Sequence, residues 1–112
     1  MKLMIAGSRS IKNFDLSEYV PPQTDLIISG GANGVDSLAE QYADRYKLSK
    51  LILRPRYDLY GRGAPLRRNE QMIEFADEVL VIWDGVSKGT QYSVKYAEKR
   101  NKPIRVIIYK GQ

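Results

Sequence analysis

The sequence predicts an α/β fold, a Rossmann-like three-layer sandwich in which a five-stranded, mostly parallel sheet has helices on both faces. Five short apolar runs alternate with segments of helical length, and such runs are typical of strands that are buried on both faces of a parallel sheet. The length of 112 residues is common for one domain. We therefore expect a single domain that spans residues 1–112.

The first part of the chain begins with an apolar run at 2–7 that ends in glycine, which predicts a buried strand. The segment 14–20 has the composition of a short helix. We expect it to stop at Pro21 and Pro22, because proline lacks an amide hydrogen and blocks the preceding turn. A second buried strand is predicted at 25–31.

A long helix is predicted from Gly34 to Leu48, because apolar side chains recur there at three- and four-residue spacing and form one stripe. A third strand is predicted at 50–55, and a long polar loop follows it. The segment 64–76 is a predicted helix with Pro65 in its first turn, where proline is well tolerated.

The last part of the chain has the strongest apolar pattern. The run 78–84 is the most hydrophobic of the sequence, which predicts a central strand. The segment 88–101 is a predicted helix whose last turn is basic, as the negative end of the helix dipole favours. The final strand is predicted at 104–109.

The composition restricts the chemistry that the chain can perform. It contains no cysteine and no histidine, which excludes disulfides, thiol catalysis, zinc–thiolate sites and a histidine base. We expect no metal site and no required cofactor. The absence of cysteine agrees with a cytoplasmic protein. No apolar stretch approaches the roughly 20 residues of a membrane span, and the strand pattern directly after Met1 leaves no room for a signal peptide.

Positive charge is concentrated in one segment. The chain has a net charge of +5, and the segment 54–68 contains five arginines and one aspartate, which supply +4 of it. Basic residues indicate an anionic partner. Because the excess lies in one predicted loop, we expect a local anion site rather than a generally charged surface.

The unusual residues follow the predicted strands. Parallel strands all end at one edge of a sheet, and ligands of open α/β sheets bind at that edge where the strand order reverses. Several of these loops lead into helix N-termini, whose free amides and dipole attract anions. The loops in question are 7–10, 30–34, 54–68 and 84–90.

The loop after the second strand raises the question of why the chain has glycine at Gly30, Gly31 and Gly34. One interpretation is that the glycines let the amides of 31–35 close around a phosphate oxygen. The alternative is a tight strand-to-helix turn without a ligand. The patterns GxxxxGK[ST] and GxGxxG are absent, so the sequence indicates neither a P-loop nor a dinucleotide fingerprint.

Several residues are candidate ligands, and each has a structural alternative. Arg9 could pair with a phosphate in a bidentate manner or lie on the surface. Asp36 follows Asn33 by three residues in a capping-box-like arrangement, which favours a structural role. Asn69 is a polar residue on the apolar face of its helix, in the first turn and next to the expected pocket. This position favours ligand binding over a buried structural role. Asp84 could bind a ribose hydroxyl or a metal, or cap the next turn.

The predicted site combines these residues with their neighbours in the four loops. Weak candidates for acid–base catalysis are Asp36, Glu70 and Asp84, with Arg67 or Arg68 stabilising charge. The predicted ligand-binding residues are Gly7, Ser8, Arg9, Gly30, Gly31, Ala32, Gly34, Asp36, Arg68, Asn69, Asp84, Gly85, Ser87, Gly89 and Thr90.

Four stretches of the chain are similar to the SLOG superfamily: "GSR", "SGGANGVDSLA", "GAPLRRNEQM" and "DGVSKGT". The chain resembles its small stand-alone members, the YspA-like proteins. The superfamily also includes the Lonely Guy phosphoribohydrolases and the Rossmann-like domain of DNA-processing protein A. The resemblance spans nearly the whole chain and implies a Rossmann-like domain that binds nucleotides or nucleotide-derived ligands. It also implies a homo-oligomer, since relatives are commonly dimeric.

The chain departs from the phosphoribohydrolase branch at its catalytic pattern, PGGxGTxxE. Gly89 and Thr90 match the glycine and threonine, but Ser93 stands where that branch has its catalytic glutamate. Hydrolysis of an N-glycosidic bond by that mechanism is therefore not expected. The stretch "SGGANGVDSLA" is more similar to the DNA-processing branch, which binds single-stranded DNA with the help of additional domains.

Three functions follow from these observations. The preferred one is binding or sensing of a nucleotide or a related phosphorylated small molecule. The second is hydrolysis of a nucleotide or N-glycosidic bond. The third, ranked last, is binding of a single-stranded nucleic acid by the arginine-rich loop, with Tyr57 and Tyr60 available to stack on bases.

Overall fold

The computed structural model describes residues 1–111, so Gln112, the last residue of the predicted domain, lies outside the described part. The elements in chain order are β1 (Lys2–Gly7), β2 (Leu26–Ser29), α1 (Val35–Arg45), β3 (Ser49–Ile52), α2 (Tyr57–Tyr60), a 3₁₀ turn (Gly61–Gly63), α3 (Ala64–Phe75), β4 (Glu78–Trp83), α4 (Lys88–Lys99) and β5 (Ile104–Ile108).

The five strands form one sheet in the order β3-β2-β1-β4-β5, and every neighbouring pair is parallel. The predicted sheet is thus confirmed, and it is wholly rather than mostly parallel. The middle strand is β1, not β4 as predicted, although β4 is paired on both sides. The chain builds outward from β1 to β3 and then returns to β4. The strand order therefore reverses between β1 and β4, where ligands of such folds bind.

Helices cover both faces of the sheet, as predicted. Successive side chains of a strand point to opposite faces. Leu3 of β1 packs in one core with Val35 of α1. Its neighbour Met4 faces the other way and packs with Met72 of α3 and Ala97 of α4. The two cores on either side of one sheet make the three-layer sandwich.

The helix predicted at 14–20 is wrong. The carboxylate of Asp15 accepts hydrogen bonds from the amide of Ser17 at 2.9 Å and from its hydroxyl at 2.6 Å, a local turn that competes with helix formation. So short a segment also forms too few helical hydrogen bonds to offset the cost of nucleation. The irregular chain nevertheless buries Ile11 and Leu16 in the core beneath α1.

The strands predicted at 25–31 and 50–55 end earlier than expected. Nη1 of Arg68 donates to the carbonyl of Gly30 at 2.6 Å and to that of Leu53 at 3.0 Å. One guanidinium thus binds the segments that follow β2 and β3 at the points where they leave the sheet. The long polar loop predicted beyond β3 contains α2 and the 3₁₀ turn, neither of which has a buried residue.

The amphipathic helices α1 and α4 also end earlier than predicted. Lys47 and Asn101 follow them with φ angles of 57°, and a left-handed residue at this position terminates a helix. Within residues 1–111, no helix combines the length and the apolar character that crossing a membrane requires.

Candidate functional site

A cavity of about 440 Å³ opens at the carboxyl edge of the sheet, next to the reversal between β1 and β4. The loop after β1, the start of α1, one face of α3 and the first turns of α4 form its wall. Its volume lies in the range of small-molecule binding sites. The cavity therefore lies at the edge of the sheet where a ligand is expected from the sequence.

Most predicted ligand-binding residues line this cavity, and a few do not. Those that do are Gly7, Ser8, Arg9, Ala32, Asp36, Arg68, Asn69, Asp84, Ser87, Gly89 and Thr90. Those that do not are Gly30, Gly31, Gly34 and Gly85.

Sequence reasoning missed part of the cavity wall. Ser93 shares a helix face with Thr90, a signal that the sequence does carry, but it is not among the predicted ligand-binding residues. The apolar members gave no signal, since an apolar residue on an amphipathic helix predicts core. The missed residues are Ala6, Ser10, Pro65, Leu66, Met72 and Ser93.

The glycines after β2 make room for groups of the protein itself. A Cβ atom at Gly30 would lie 2.7 Å from Nη1 of Arg68, and one at Gly31 would meet the guanidinium of Arg54. Gly34 has a φ of 76°, and a Cβ there would lie 2.5 Å from the Cα of Arg9. The space beside these three glycines is therefore taken by the protein's own groups, which agrees with the structural interpretation.

The amides of the same loop already have acceptors. The amide of Gly31 donates to the hydroxyl of Ser29 at 3.3 Å, and that of Ala32 donates to Oδ2 of Asp36 at 3.1 Å. The amide of Val35 donates to the carbonyl of Ser8 at 3.3 Å. These three amides are therefore already paired within the chain, and their pairing with a phosphate oxygen stays a prediction.

Arg68 forms a buried part of the cavity wall, with 7% of its surface exposed. Besides the two carbonyl bonds of Nη1, its Nε donates to Oδ1 of Asn69 at 2.8 Å. Nη2 has no hydrogen-bond partner within residues 1–111. Burial lowers the pKa of Arg68, and the field of the Asp36 carboxylate opposes this effect. Arg68 thus fastens the β2 and β3 loops together and places a positive charge at the cavity.

Asp36 lies in the first turn of α1 and is 8% exposed. Its Oδ2 accepts the amide of Ala32, while Oδ1 has no partner in the described chain. The predicted capping box with Asn33 does not form, because Gly34 is the N-cap and makes no side-chain cap. Burial raises the pKa of Asp36, against the Ala32 hydrogen bond and the nearby arginines. Asp36 is thus a buried carboxylate with one oxygen available.

Asp84 caps the turn between β4 and α4. Its Oδ1 accepts the amides of Val86 and Ser87, each at 2.9 Å, and Oδ2 accepts the hydroxyl of Ser10 at 3.1 Å. The backbone hydrogen bond of Val86, followed by that of Ser87, holds the pKa of Asp84 far below its usual range. Of the roles considered for Asp84, the turn cap is the one observed, and a carboxylate so stabilised is a weak base.

We expect an Asp84→Asn variant to be less stable than the wild type at pH 7, by on the order of 1 kcal/mol. Asparagine still accepts the two amides but lacks the charge. Because the pKa of Asp84 is lower in the folded state, its contribution to stability is present above the unfolded value and is lost as the pH falls below about 4. Urea unfolding at several pH values should show the midpoints of the wild type and of Asp84→Asn converging between pH 4 and pH 2. A difference between the two midpoints that does not change with pH would contradict this role.

Glu70 lies outside the cavity. Its carboxylate accepts the hydroxyl of Tyr92 on α4 and pairs with Nη1 of Arg67 at 3.1 Å. The Tyr92 hydrogen bond, and after it Arg67, lowers the pKa of Glu70. The structure therefore places both Glu70 and Arg67 in a link between α3 and α4, and it does not bring them to the site.

Further polar groups that remain available in the cavity lie in the first turn of α4. Thr90 is 9% exposed, and its hydroxyl has no partner within residues 1–111. A Cβ atom at Gly89 would meet nothing within 4 Å. The first amides of a helix have no acceptor within it and carry the positive end of the dipole. With the exposed Arg9 beside it, this turn is the part of the cavity best suited to an anion.

The arginines of 54–68 serve mainly the chain itself. Nη1 of Arg54 donates to the carbonyl of Gly31 at 3.1 Å, Arg56 pairs with Asp58 at 2.8 Å, and Arg68 is buried. These guanidiniums stabilise loops at the carboxyl edge of the sheet. They are therefore less available to an external polyanion than their number in the sequence indicates.

Comparison with known proteins gives one distant relative. The chain is similar to the "Gene 61 protein" of Mycobacterium phage D29, with 25% identity over 85 residues that cover 70% of this chain and 68% of the phage protein. No family model matches the chain, and no solved structure matches it.

Proposed function

We propose that the protein binds a nucleotide or a nucleotide-derived phosphorylated ligand in the cavity at the carboxyl edge of the sheet. The observation that supports this most strongly is the open first turn of α4, with the unpaired hydroxyl of Thr90 and no side chain at Gly89. A phosphate there would gain amide hydrogen bonds and the field of the helix dipole.

The rest of the cavity suits the other parts of a nucleotide. Pro65, Leu66 and Met72 give α3 an apolar wall against which a base can pack. The side-chain amide of Asn69 adds a polar group beside them, and Arg9 adds a positive charge for a phosphate. The volume of about 440 Å³ favours a mononucleotide over a larger ligand.

We further propose that the chain is a member of the SLOG superfamily and forms a cytoplasmic homodimer. The strand order and the position of the four motif-bearing loops at one edge of the sheet support membership. Exposed apolar side chains such as Leu59 and Val86 offer surface for a second copy. Light scattering coupled to size-exclusion chromatography tests the dimer.

The proposed ligand class is tested by a nucleotide panel. Nucleoside mono- and diphosphates and dinucleotides are titrated by calorimetry, and the melting temperature is followed with rising concentration, since a ligand of the folded state raises it. Native mass spectrometry of the purified protein shows whether a phosphorylated molecule stays bound. If the whole panel leaves the melting temperature unchanged and no ligand co-purifies, the proposal is wrong.

A Gly89→Ala variant is expected to bind such a ligand about tenfold more weakly, because a methyl group would occupy the open space beside the first amides of α4. Its unfolding free energy should stay the same or rise by up to about 1 kcal/mol, because alanine is the better helix former. Gly63→Ala is the matched control, since its Cβ would also meet open space but lies outside the cavity wall. Equal affinities of both variants and the wild type would argue against a phosphate at α4.

Hydrolysis of a nucleotide or N-glycosidic bond is the second candidate function, and one observation favours it. Asp36 is a buried carboxylate in the cavity, and burial raises its pKa toward the range of a general acid or base. Product analysis on ribonucleotide and dinucleotide substrates tests this function. Turnover that is equal in the wild type and in Asp36→Asn would exclude Asp36 as the catalytic group.

A further inference from the structure

The cavity presents one carboxylate oxygen that the protein leaves unused. Two carboxylates line it, Asp36 and Asp84. Both oxygens of Asp84 accept hydrogen bonds from the chain's own turn and from Ser10. Asp36 is 8% exposed, and of its two oxygens only Oδ2 has a donor within the described residues, the amide of Ala32. The Oδ1 atom of Asp36 is therefore an acceptor on a largely buried side chain, and it has no partner within the described residues.

Such an acceptor favours a neutral donor from the ligand. A ligand that covers this oxygen without donating to it would leave a buried acceptor unpaired, which is costly, and an ionised carboxylate can only accept. Burial raises the pKa of Asp36, and the fields of Arg68 and Arg9 oppose this effect in favour of the charged form. A phosphate cannot fill this position, because two negative charges repel.

Both the base and the sugar of a nucleotide carry uncharged donors, and the placement of the other parts favours the sugar here. The phosphate is best placed at the first turn of α4, and the base is best placed on the apolar wall of α3 that Leu66 and Met72 form. The sugar joins the two, and its hydroxyl groups are uncharged donors. Resting on the function proposed above, we propose that Asp36 accepts a hydrogen bond from a ribose hydroxyl and thereby selects ribonucleotides over 2′-deoxyribonucleotides.

The expected discrimination is large enough to measure. In a complex with a 2′-deoxyribonucleotide, Oδ1 of Asp36 would be buried under the ligand without a donor. A hydrogen bond to a charged group is among the stronger ones in proteins, so its loss corresponds to about 10- to 100-fold in affinity. A site built around a hydroxyl rejects the analogue without it for this reason.

The test compares matched nucleotides on the wild-type protein. Calorimetry with AMP and 2′-deoxy-AMP, and with GMP and 2′-deoxy-GMP, should give a ribose preference of about 10- to 100-fold for the pair that binds. The 3′-deoxy analogues show which hydroxyl is recognised. Equal affinities for all ribose and deoxyribose pairs overturn this inference and leave the nucleotide-binding function intact, whereas no binding of any nucleotide overturns both.

Variants then show whether Asp36 is the residue responsible. Asp36→Ala should reduce the ribose preference to within about threefold, and Asp36→Asn, which can still accept the amide of Ala32, should give an intermediate preference. Asp44→Asn, on the exposed far end of the same helix, should keep the full preference. A preference that survives in folded Asp36→Ala overturns the assignment. If Asp36→Ala does not fold, Asp36→Asn tests the assignment, and its unfolding midpoint is measured in parallel. A full ribose preference in folded Asp36→Asn would then overturn the assignment.

Discussion

A Gly7→Ala variant is expected to lose about 3 kcal/mol of unfolding free energy. Gly7 ends β1 opposite Ile82 of β4. A Cβ atom at Gly7 would overlap the carbonyl oxygen of Ile82 and lie 2.7 Å from Cγ2 of Val35. The first of these neighbours is backbone and the second is a core side chain, so neither can move away at low cost.

The overlap also affects the site. The carbonyl of Ile82 accepts the amide of Ser8 at 3.1 Å, and the hydroxyl of Ser8 accepts the amide of Asp84 at 2.9 Å. Separating β1 from β4 at this point would shift both loops that border the strand-order reversal. If the proposed function is correct, we expect folded Gly7→Ala protein to bind the proposed nucleotide ligand more weakly than the wild type, in addition to its lower stability.

Chemical unfolding of Gly7→Ala beside Gly89→Ala measures the effect. Both variants add one methyl group to a glycine of the cavity wall, but the Cβ at Gly89 meets open space. If the added methyl group had no steric effect, the two variants would have similar unfolding free energies. The overlap at Gly7 instead predicts that Gly7→Ala is less stable than Gly89→Ala by about 3 kcal/mol. A Gly7→Ala midpoint within experimental error of the wild type would show that β1 and β4 are less tightly joined here than the structure indicates.

The fold could be predicted from the sequence because its signals are local. An apolar run predicts a buried strand, and a stripe at helical spacing predicts a helix, without knowledge of the partner. The prediction failed at 14–20, where one side chain, Asp15, closes a turn with Ser17 that competes with the helix. That competing signal is also local, and it was present in the sequence.

The site could be predicted only in outline, because its contacts join distant parts of the chain. The position of the cavity follows from the parallel sheet. The group that fills the space beside Gly30 cannot be predicted in this way, because it is Arg68, which lies 38 residues away in the sequence. The role of Asp84 likewise depends partly on Ser10, 74 residues earlier. Glycine predicts close approach correctly, but it does not tell which group approaches.

The second large effect is expected at Arg68. An Arg68→Met variant should lose about 3 kcal/mol of unfolding free energy, because the carbonyls of Gly30 and Leu53 would lose their donor, and each unpaired buried group costs about 1–3 kcal/mol. Methionine keeps much of the apolar volume, so the loss reports the hydrogen bonds. Arg67→Met is the matched control. Its guanidinium is partly exposed and forms one ion pair with Glu70, so its loss should stay below about 1 kcal/mol.

The pH dependence of the same variant separates charge from packing. Burial already raises the pKa of Asp36, and Arg68 lowers it, so removing Arg68 should raise it further. A group whose pKa is higher in the folded state destabilises the fold above that pKa, and stability returns as the pH falls toward the unfolded value, near 4 for aspartate. The deficit of Arg68→Met relative to the wild type should therefore shrink between pH 7 and pH 4. If Arg68 acts only through the two carbonyls, the deficit should instead stay constant from pH 7 to pH 4. The double variant Arg68→Met with Asp36→Asn is the control. Its deficit relative to Asp36→Asn should not depend on pH, which would assign any pH dependence of Arg68→Met to Asp36.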